Sequence, residues 1–225
     1  MGSENRPPFI TFEGGEGGGK STQIKRLAAF LEERGVRCCL TREPGGCESA
    51  EDIRALLVSG ETNRWGAMTE VLLHYAARRE HLTRRVMPAL GEGEWVLCDR
   101  YADSTLAYQG YGFGIDPETI RRLHRLVIGG FKPDLTFILD LPVEVGLGRA
   151  AERDGAKAGP AQDRYERMDR DFHERLRKGF LDIASKEPGR CIVLDANREP
   201  DEIAAEVTAE VERRFHRKFG SPGRS

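Results

Sequence analysis

The stretch Gly14-Gly15-Glu16-Gly17-Gly18-Gly19-Lys20-Ser21 decides the fold. It fits G-x-x-x-x-G-K-[ST], a loop whose backbone N–H groups cradle phosphates. The apolar run Phe9-Ile10-Thr11-Phe12 precedes it and reads as a strand. Ile24, Leu27, Ala28 and Leu31 follow at helical spacing, up to Gly35. Strand, glycine loop and helix in that order are the context the motif requires. Glycines let the backbone curl so that its N–H groups point inward. The helix N-terminus adds partial positive charge. Lys20 is placed to reach the β- and γ-phosphates of a nucleotide, and the Ser21 hydroxyl to ligand Mg²⁺, with Thr22 beside it.

Four further apolar runs read as strands, at residues 38–41, 95–98, 135–139 and 191–194. Most are apolar on both faces, as strands buried between helices are. Helical spacing recurs in between, over Val71, Leu72, Tyr75, Ala76 and Leu82, over Ile120, Leu123, Leu126 and Val127, and over Ile203, Val207 and Val211. Asp116-Pro117 reads as the N-cap and first residue of one of these helices. The alternation predicts an α/β fold with a central five-stranded parallel sheet flanked by helices and ligands at the carboxyl ends of the strands.

The third run leads directly into Asp99-Arg100. A carboxylate at a strand end beside a phosphate loop is suited to a second magnesium contact, direct or through water. Arg100 is suited to gripping a phosphate with two N–H groups.

The chain has 225 residues and a formal net charge of −2, so one domain is expected over 1–225, with no basic excess for nucleic acid or a membrane surface. The five cysteines include no C-x-x-C pair and suit a reducing compartment. Residues 1–8 lack the apolar stretch of a secretory signal, and no run is long enough to span a membrane. A soluble cytoplasmic protein is expected, with disordered ends at 1–8 and 219–225.

Four segments, FEGGEGGGKST (12–22), TREPGG (41–46), DRYADSTLAYQG (99–110) and DRYE (163–166), resemble the thymidylate kinase family. The likeness runs from Phe9 to about Ala196. It implies a P-loop nucleoside-monophosphate kinase fold with a small lid, here about 149–166. It also implies transfer of the γ-phosphoryl group of ATP to dTMP with Mg²⁺, in a homodimer. On the acceptor side it implies Arg78 on the thymine ring, Tyr108 under the deoxyribose where a 2′-hydroxyl would sit, and Arg54 on the dTMP phosphate. Glu43, Thr105 and Gln109 are further acceptor-side residues. Glu16 matches an acidic loop position. A carboxylate inside an anion-binding loop needs a partner, and Arg100 is the expected one.

Two positions depart from the family pattern. Where the family usually stacks a phenylalanine on thymine, this chain has His74, one helical turn before Arg78. Protonation of His74 would repel Arg78, so weaker dTMP binding is expected below about pH 6.5. Some family members carry an arginine in the phosphate loop directly after the acidic residue, whereas this chain has Gly17. The missing charge is then expected from the lid. Arg153 is the first candidate for the transition-state arginine, supported by Arg149 and Arg164 about the Gly/Ala/Pro-rich stretch 154–161.

The acceptor phosphate, with a second pKa near about 6, is already ionised at pH 7. No general base is needed, and catalysis reduces to positioning and charge neutralisation. Another nucleotide kinase, a nucleotide-dependent switch and an inactive homologue are the rival readings. TREPGG with Tyr108 and Gln109 opposes the first. The sequence has no N-K-x-D segment, which opposes a guanine switch. Lys20, Ser21, Asp99 and Arg100 together oppose the third.

Overall fold

The computed structural model describes residues 6–155 and 164–219. Five strands, β1 (Phe9–Glu13), β2 (Cys38–Arg42), β3 (Trp95–Asp99), β4 (Leu135–Asp140) and β5 (Cys191–Asp195), form one parallel sheet in the order β2-β3-β1-β4-β5. The order reverses direction on either side of β1. A crevice therefore opens at the carboxyl end of the central strand, where ligands of such sheets bind.

Every strand extends one residue beyond its apolar run and ends on a charged side chain: Glu13, Arg42, Asp99, Asp140 or Asp195. Two of them, Arg42 and Asp99, line the cleft described below.

Alternation along the strands divides the core. Ile10, Phe12, Phe137 and Leu139 pack with Ile24, Leu27 and Leu31 of α1 (Lys20–Glu32) and with Ile203, Val207 and Val211 of α9 (Pro200–Phe215). On the opposite face, Phe9, Val96 and Cys98 meet Val71 and Tyr75 of α3 (Ala67–His81) and Ile120 of α6 (Pro117–Val127). Ile138 meets Phe172, Leu176 and Phe180 of α8 (Arg170–Lys186). Asp116 caps α6 as expected, its carboxylate accepting from the backbone N–H groups of Glu118 and Thr119.

The remaining helices are α2 (Glu48–Val58), α4 (Met87–Gly91), α5 (Ala102–Thr105) and α7 (Val143–Gly155). All but α4 border the crevice. A π-helical segment, Leu106–Gly112, continues α5 and carries Tyr108 and Gln109. Wider turns of this kind commonly occur at functional sites.

Of the ends expected to be disordered, 1–5 and 220–225 lie outside the described residues. Arg6 pairs with Asp134, and Phe219 packs against Phe30 and Trp95. The central part of the expected lid, 156–163, also lies outside them. No helix among the described residues is long and apolar enough to cross a membrane.

Candidate active site

A cleft of about 780 Å³ lies over the strand ends. Its walls include Glu16 to Thr22 of the phosphate loop, Asp99 and Arg100 after β3, Arg78 of α3, and Tyr108 and Gln109 of the π-helical segment.

The loop takes its shape from Gly14, Gly17 and Gly19, all at positive φ. Lys20 is buried and donates to the carbonyls of Gly14 (3.3 Å) and Gly15 (2.7 Å), so its ammonium is folded back over the loop. Burial and the nearby Arg100 lower its pKa. The Ser21 hydroxyl donates to Asp99 Oδ2 at 2.6 Å. These two hard oxygen groups, on adjacent elements, suit a magnesium ion that takes its other ligands from phosphate and water.

Arg100 is the one residue other than glycine at positive φ (67°) among the described residues. Its guanidinium donates to Gly14 O (2.8 Å), Ser104 Oγ (3.3 Å) and Glu16 Oε1 (2.9 Å). The partner expected for Glu16 is therefore in place. Tyr108 also donates its hydroxyl to Glu16 Oε1, at 2.5 Å. Burial opposes the charge of Glu16, but Arg100, then Lys20 and the Tyr108 hydroxyl, outweigh it and hold the carboxyl at about 2.

At the far end of the cleft, Arg78 is 2% exposed. Its Nε donates to Glu43 Oε2 (2.7 Å), and its Nη2 to Tyr101 O (3.0 Å) and Thr105 Oγ1 (2.9 Å). Nη1 is buried with no protein partner. Glu43 thus orients Arg78 from behind, with His81 on its other oxygen at 2.9 Å. Thr105 likewise holds Arg78. Arg54 lines the cleft and donates to Pro44 O at 2.8 Å. Arg42 also lines the cleft, a residue that sequence reasoning passed over because it ends a strand.

His74 lines the cleft one turn from Arg78, with Nε2 3.3 Å from the Tyr165 hydroxyl. The expected protonation near pH 6.5 does not hold. Burial, together with Arg78, Arg164, Arg54 and Arg100, pushes its pKa down to about 3. His74 is neutral throughout the physiological range.

The three lid arginines separate. Arg149 and Arg153 of α7 line the cleft, Arg149 donating to Ala196 O (3.0 Å) and Arg153 to Glu166 Oε1 (2.5 Å). Arg164 does not join them, which corrects the expectation that it faces ATP. It is 1% exposed and donates to Leu57 O (2.7 Å), Thr62 O (2.8 Å) and the Glu70 carboxylate. Its charge is consumed in fastening the end of the expected lid to α2 and α3.

Two buried carboxylates escaped sequence reasoning. Glu13 accepts from Tyr101 N–H (2.7 Å) and Ser104 Oγ (2.5 Å), tying β1 to the Arg100 turn. Glu70 binds Arg164, Tyr165 and Gln109. A charged residue next to an apolar run was the available signal in both cases.

Gly17 faces the start of α7 across a tight backbone contact. A Cβ there would overlap the Gly146 carbonyl, and one at Gly146 would meet the Glu16 carbonyl at 2.5 Å. The loop has no room for a side chain at this point.

Comparison with known proteins agrees with this geometry. A sequence model described as Thymidylate kinase matches residues 12–207. The thymidylate kinase of Caulobacter vibrioides is 53% identical over 207 residues, covering 92% of this chain and 97% of its own. That of Trichlorobacter lovleyi is 48% identical, covering 89% and 94%. The crystal structure of the Ehrlichia chaffeensis thymidylate kinase superposes with a TM-score of 0.72 at 38% identity, over 91% of this chain and 98% of that one. With the family model matched over most of its length and relatives about half identical across nearly the whole of both chains, this chain belongs to the thymidylate kinase family.

Proposed function

We infer that this protein transfers the γ-phosphoryl group of ATP to dTMP, giving ADP and dTDP, a step of dTTP biosynthesis. The observation that carries this reading is one continuous cleft with a phosphate loop at one end and, at the other, Arg78 and Gln109, each of which has an unsatisfied buried polar atom. Arg78 Nη1 is a donor and Gln109 Oε1 an acceptor, both buried without a protein partner. Thymine presents the complement, the O4 acceptor and the N3–H donor.

The loop N–H groups and Lys20 bind the ATP phosphates. Arg100, already anchored to Gly14 and Glu16, is held between the two phosphate sites, where it aligns the attacking dTMP oxygen and offsets its charge. Ser21 and Asp99 would hold Mg²⁺, which when bound neutralises charge on the transferring phosphate. Tyr108 is fixed through Glu16 and by edge contacts to Tyr165, Phe172 and Phe180, so its ring is a rigid floor for a deoxyribose. Arg54 and Arg42 supply charge for the dTMP phosphate. Neutral His74 offers its ring face to the base.

Arg149 and Arg153 serve the ATP side. For Arg153 to reach the transferring phosphate it exchanges Glu166 for a phosphate oxygen, a step tied to closure over ATP. Closure also excludes water and so suppresses idle hydrolysis.

Exposed Leu56 of α2, Met68 and Leu72 of α3 and Leu126 of α6 lie on three adjacent helices. They support a homodimer, which sedimentation would test. All five cysteines are free thiols, which suits the cytoplasm.

The functional test is ADP production from ATP and Mg²⁺ with dTMP, dUMP, ribo-TMP, dCMP, AMP and GMP in turn. A strong preference for dTMP with little turnover of ribo-TMP is expected. Comparable turnover of another monophosphate, or none with any, would overturn the substrate reading.

A further inference from the structure

We propose that Glu70 sets the base choice of the acceptor site, as a positioning residue that locks the Gln109 side-chain amide with its oxygen toward the base. The proposal rests on the acceptor reading above. It adds a specificity determinant that touches no substrate.

Glu70 lies in the first turn of α3 and is 1% exposed. Its carboxylate pairs with Arg164, and Oε2 accepts from the Tyr165 hydroxyl (2.9 Å) and from Gln109 Nε2 (3.1 Å). A carboxylate held by an arginine only accepts hydrogen bonds. The amide beside it must therefore turn its NH₂ inward. Gln109 is fully buried, and its Oε1 is left as the polar atom without a protein partner. Arg78, two turns along the same helix, has three donor contacts to Glu43, Tyr101 and Thr105, and leaves Nη1 unpartnered.

Arg78 and Gln109, which line the cleft, thus leave one donor and one acceptor unpaired in fixed positions. Thymine and uracil match both, through O4 and N3–H. Cytosine reverses both, with a 4-amino donor and a bare N3 acceptor. Gln109 alone would not make this distinction, because a rotated amide would donate to N3 of cytosine. Glu70 removes that freedom, since rotation would set the amide oxygen against the carboxylate. A buried polar group left unpaired by the wrong base discriminates strongly.

The test compares kcat/KM for dTMP and 5-methyl-dCMP, which share the 5-methyl group and differ at the N3/C4 edge. In Glu70→Gln the new amide either donates or accepts, so Gln109 is satisfied in both orientations. The ratio of the two substrates is expected to fall at least about tenfold, about 1.4 kcal/mol, chiefly through gain on 5-methyl-dCMP. Equal losses on both substrates would overturn the proposal and leave Glu70 a structural residue only. Because Glu70→Gln strips Arg164 of its anion, the double variant Glu70→Gln/Arg164→Gln, which removes the pair together, is read the same way. A third readout needs no variant. The Gln109 NH₂ protons of the wild-type protein should exchange slowly with solvent both with and without dTMP, and solvent-rate exchange in either state would overturn the lock. If the wild-type protein fails to phosphorylate dTMP, the functional reading falls. If it succeeds and the ratio does not move, this proposal alone falls.

Discussion

Arg100 Nη2 donates to Glu16 Oε1 across 2.9 Å while Nη1 of the same guanidinium donates to the Gly14 carbonyl, so an arginine in a left-handed backbone conformation is clamped to the loop it serves. Such a conformation costs about 1–3 kcal/mol and persists only when its surroundings fix it. Glu16→Gln keeps the shape and removes the charge. A fall in kcat/KM of about 10- to 100-fold is expected, the worth of about 1.5–3 kcal/mol for a hydrogen bond to a charged group. Because the Glu16 carboxyl sits at about 2, steady-state kinetics should show no acid limb from this pair above pH 4.

His74 gives a second test, with a defined sign. Its folded pKa of about 3 lies below its usual 6.5, so the unfolded chain takes up a proton that the folded chain refuses. Its contribution to stability is full above about pH 6.5 and is lost as pH falls towards 3. His74→Phe should flatten the fall in urea midpoint between pH 6.5 and 4.5. His124, held at about 4 by burial and then Arg78, keeps its own slope in both proteins. The pH profile of the dTMP KM between 5.5 and 8 should be the same in wild type and variant, shaped by the second ionisation of the substrate.

Glu13 acts in the opposite direction. Burial, then Asp103, raises its pKa from 4.5 to about 7. The folded state keeps a proton that the unfolded state releases, so stability from this group falls as pH rises through that window. Moving from pH 5 to pH 8, the urea midpoint of Glu13→Gln should shift upward relative to wild type. A difference that is constant with pH would contradict the assignment.

Arg153→Ala and Arg164→Ala should separate cleanly. The first is expected to lower kcat by about 10²-fold or more with little change in thermal midpoint, as loss of a transition-state arginine does. The second removes the cation from a buried pair with Glu70, which costs about 3–5 kcal/mol, so it should appear first in the thermal midpoint. Loss of kcat at unchanged stability in Arg164→Ala would restore Arg164 to the ATP side.

The sequence disclosed the strands and the phosphate loop because both are carried by local pattern, apolar runs and glycine spacing. It stopped one residue short on every strand, at Glu13, Arg42, Asp99, Asp140 and Asp195. A search for apolar residues therefore misses Arg42 and Asp99, the strand ends that line the cleft. The order β2-β3-β1-β4-β5 has no local signature, since it is a matter of which buried edges meet. Arg153 and Arg164 look alike as letters. Only the fold shows that Arg164 turns inward to Leu57, Thr62 and Glu70 while Arg153 stays on the cleft. The pKa of His74 escapes the sequence for the same reason, because it is set by burial, then by Arg78 and by Arg164 and Arg54 from other segments.

The contact between Gly17 and Gly146 limits how such an enzyme can change by descent. An arginine in the phosphate loop and arginines on α7 would be two answers to the same need for charge, yet a chain of this shape cannot pass from one to the other by a single substitution. A side chain at position 17 strikes the helix that carries Arg149 and Arg153, so the old answer is disturbed before the new one works. In this chain, charge could therefore move into the loop only if α7 shifted and the loop were refilled together.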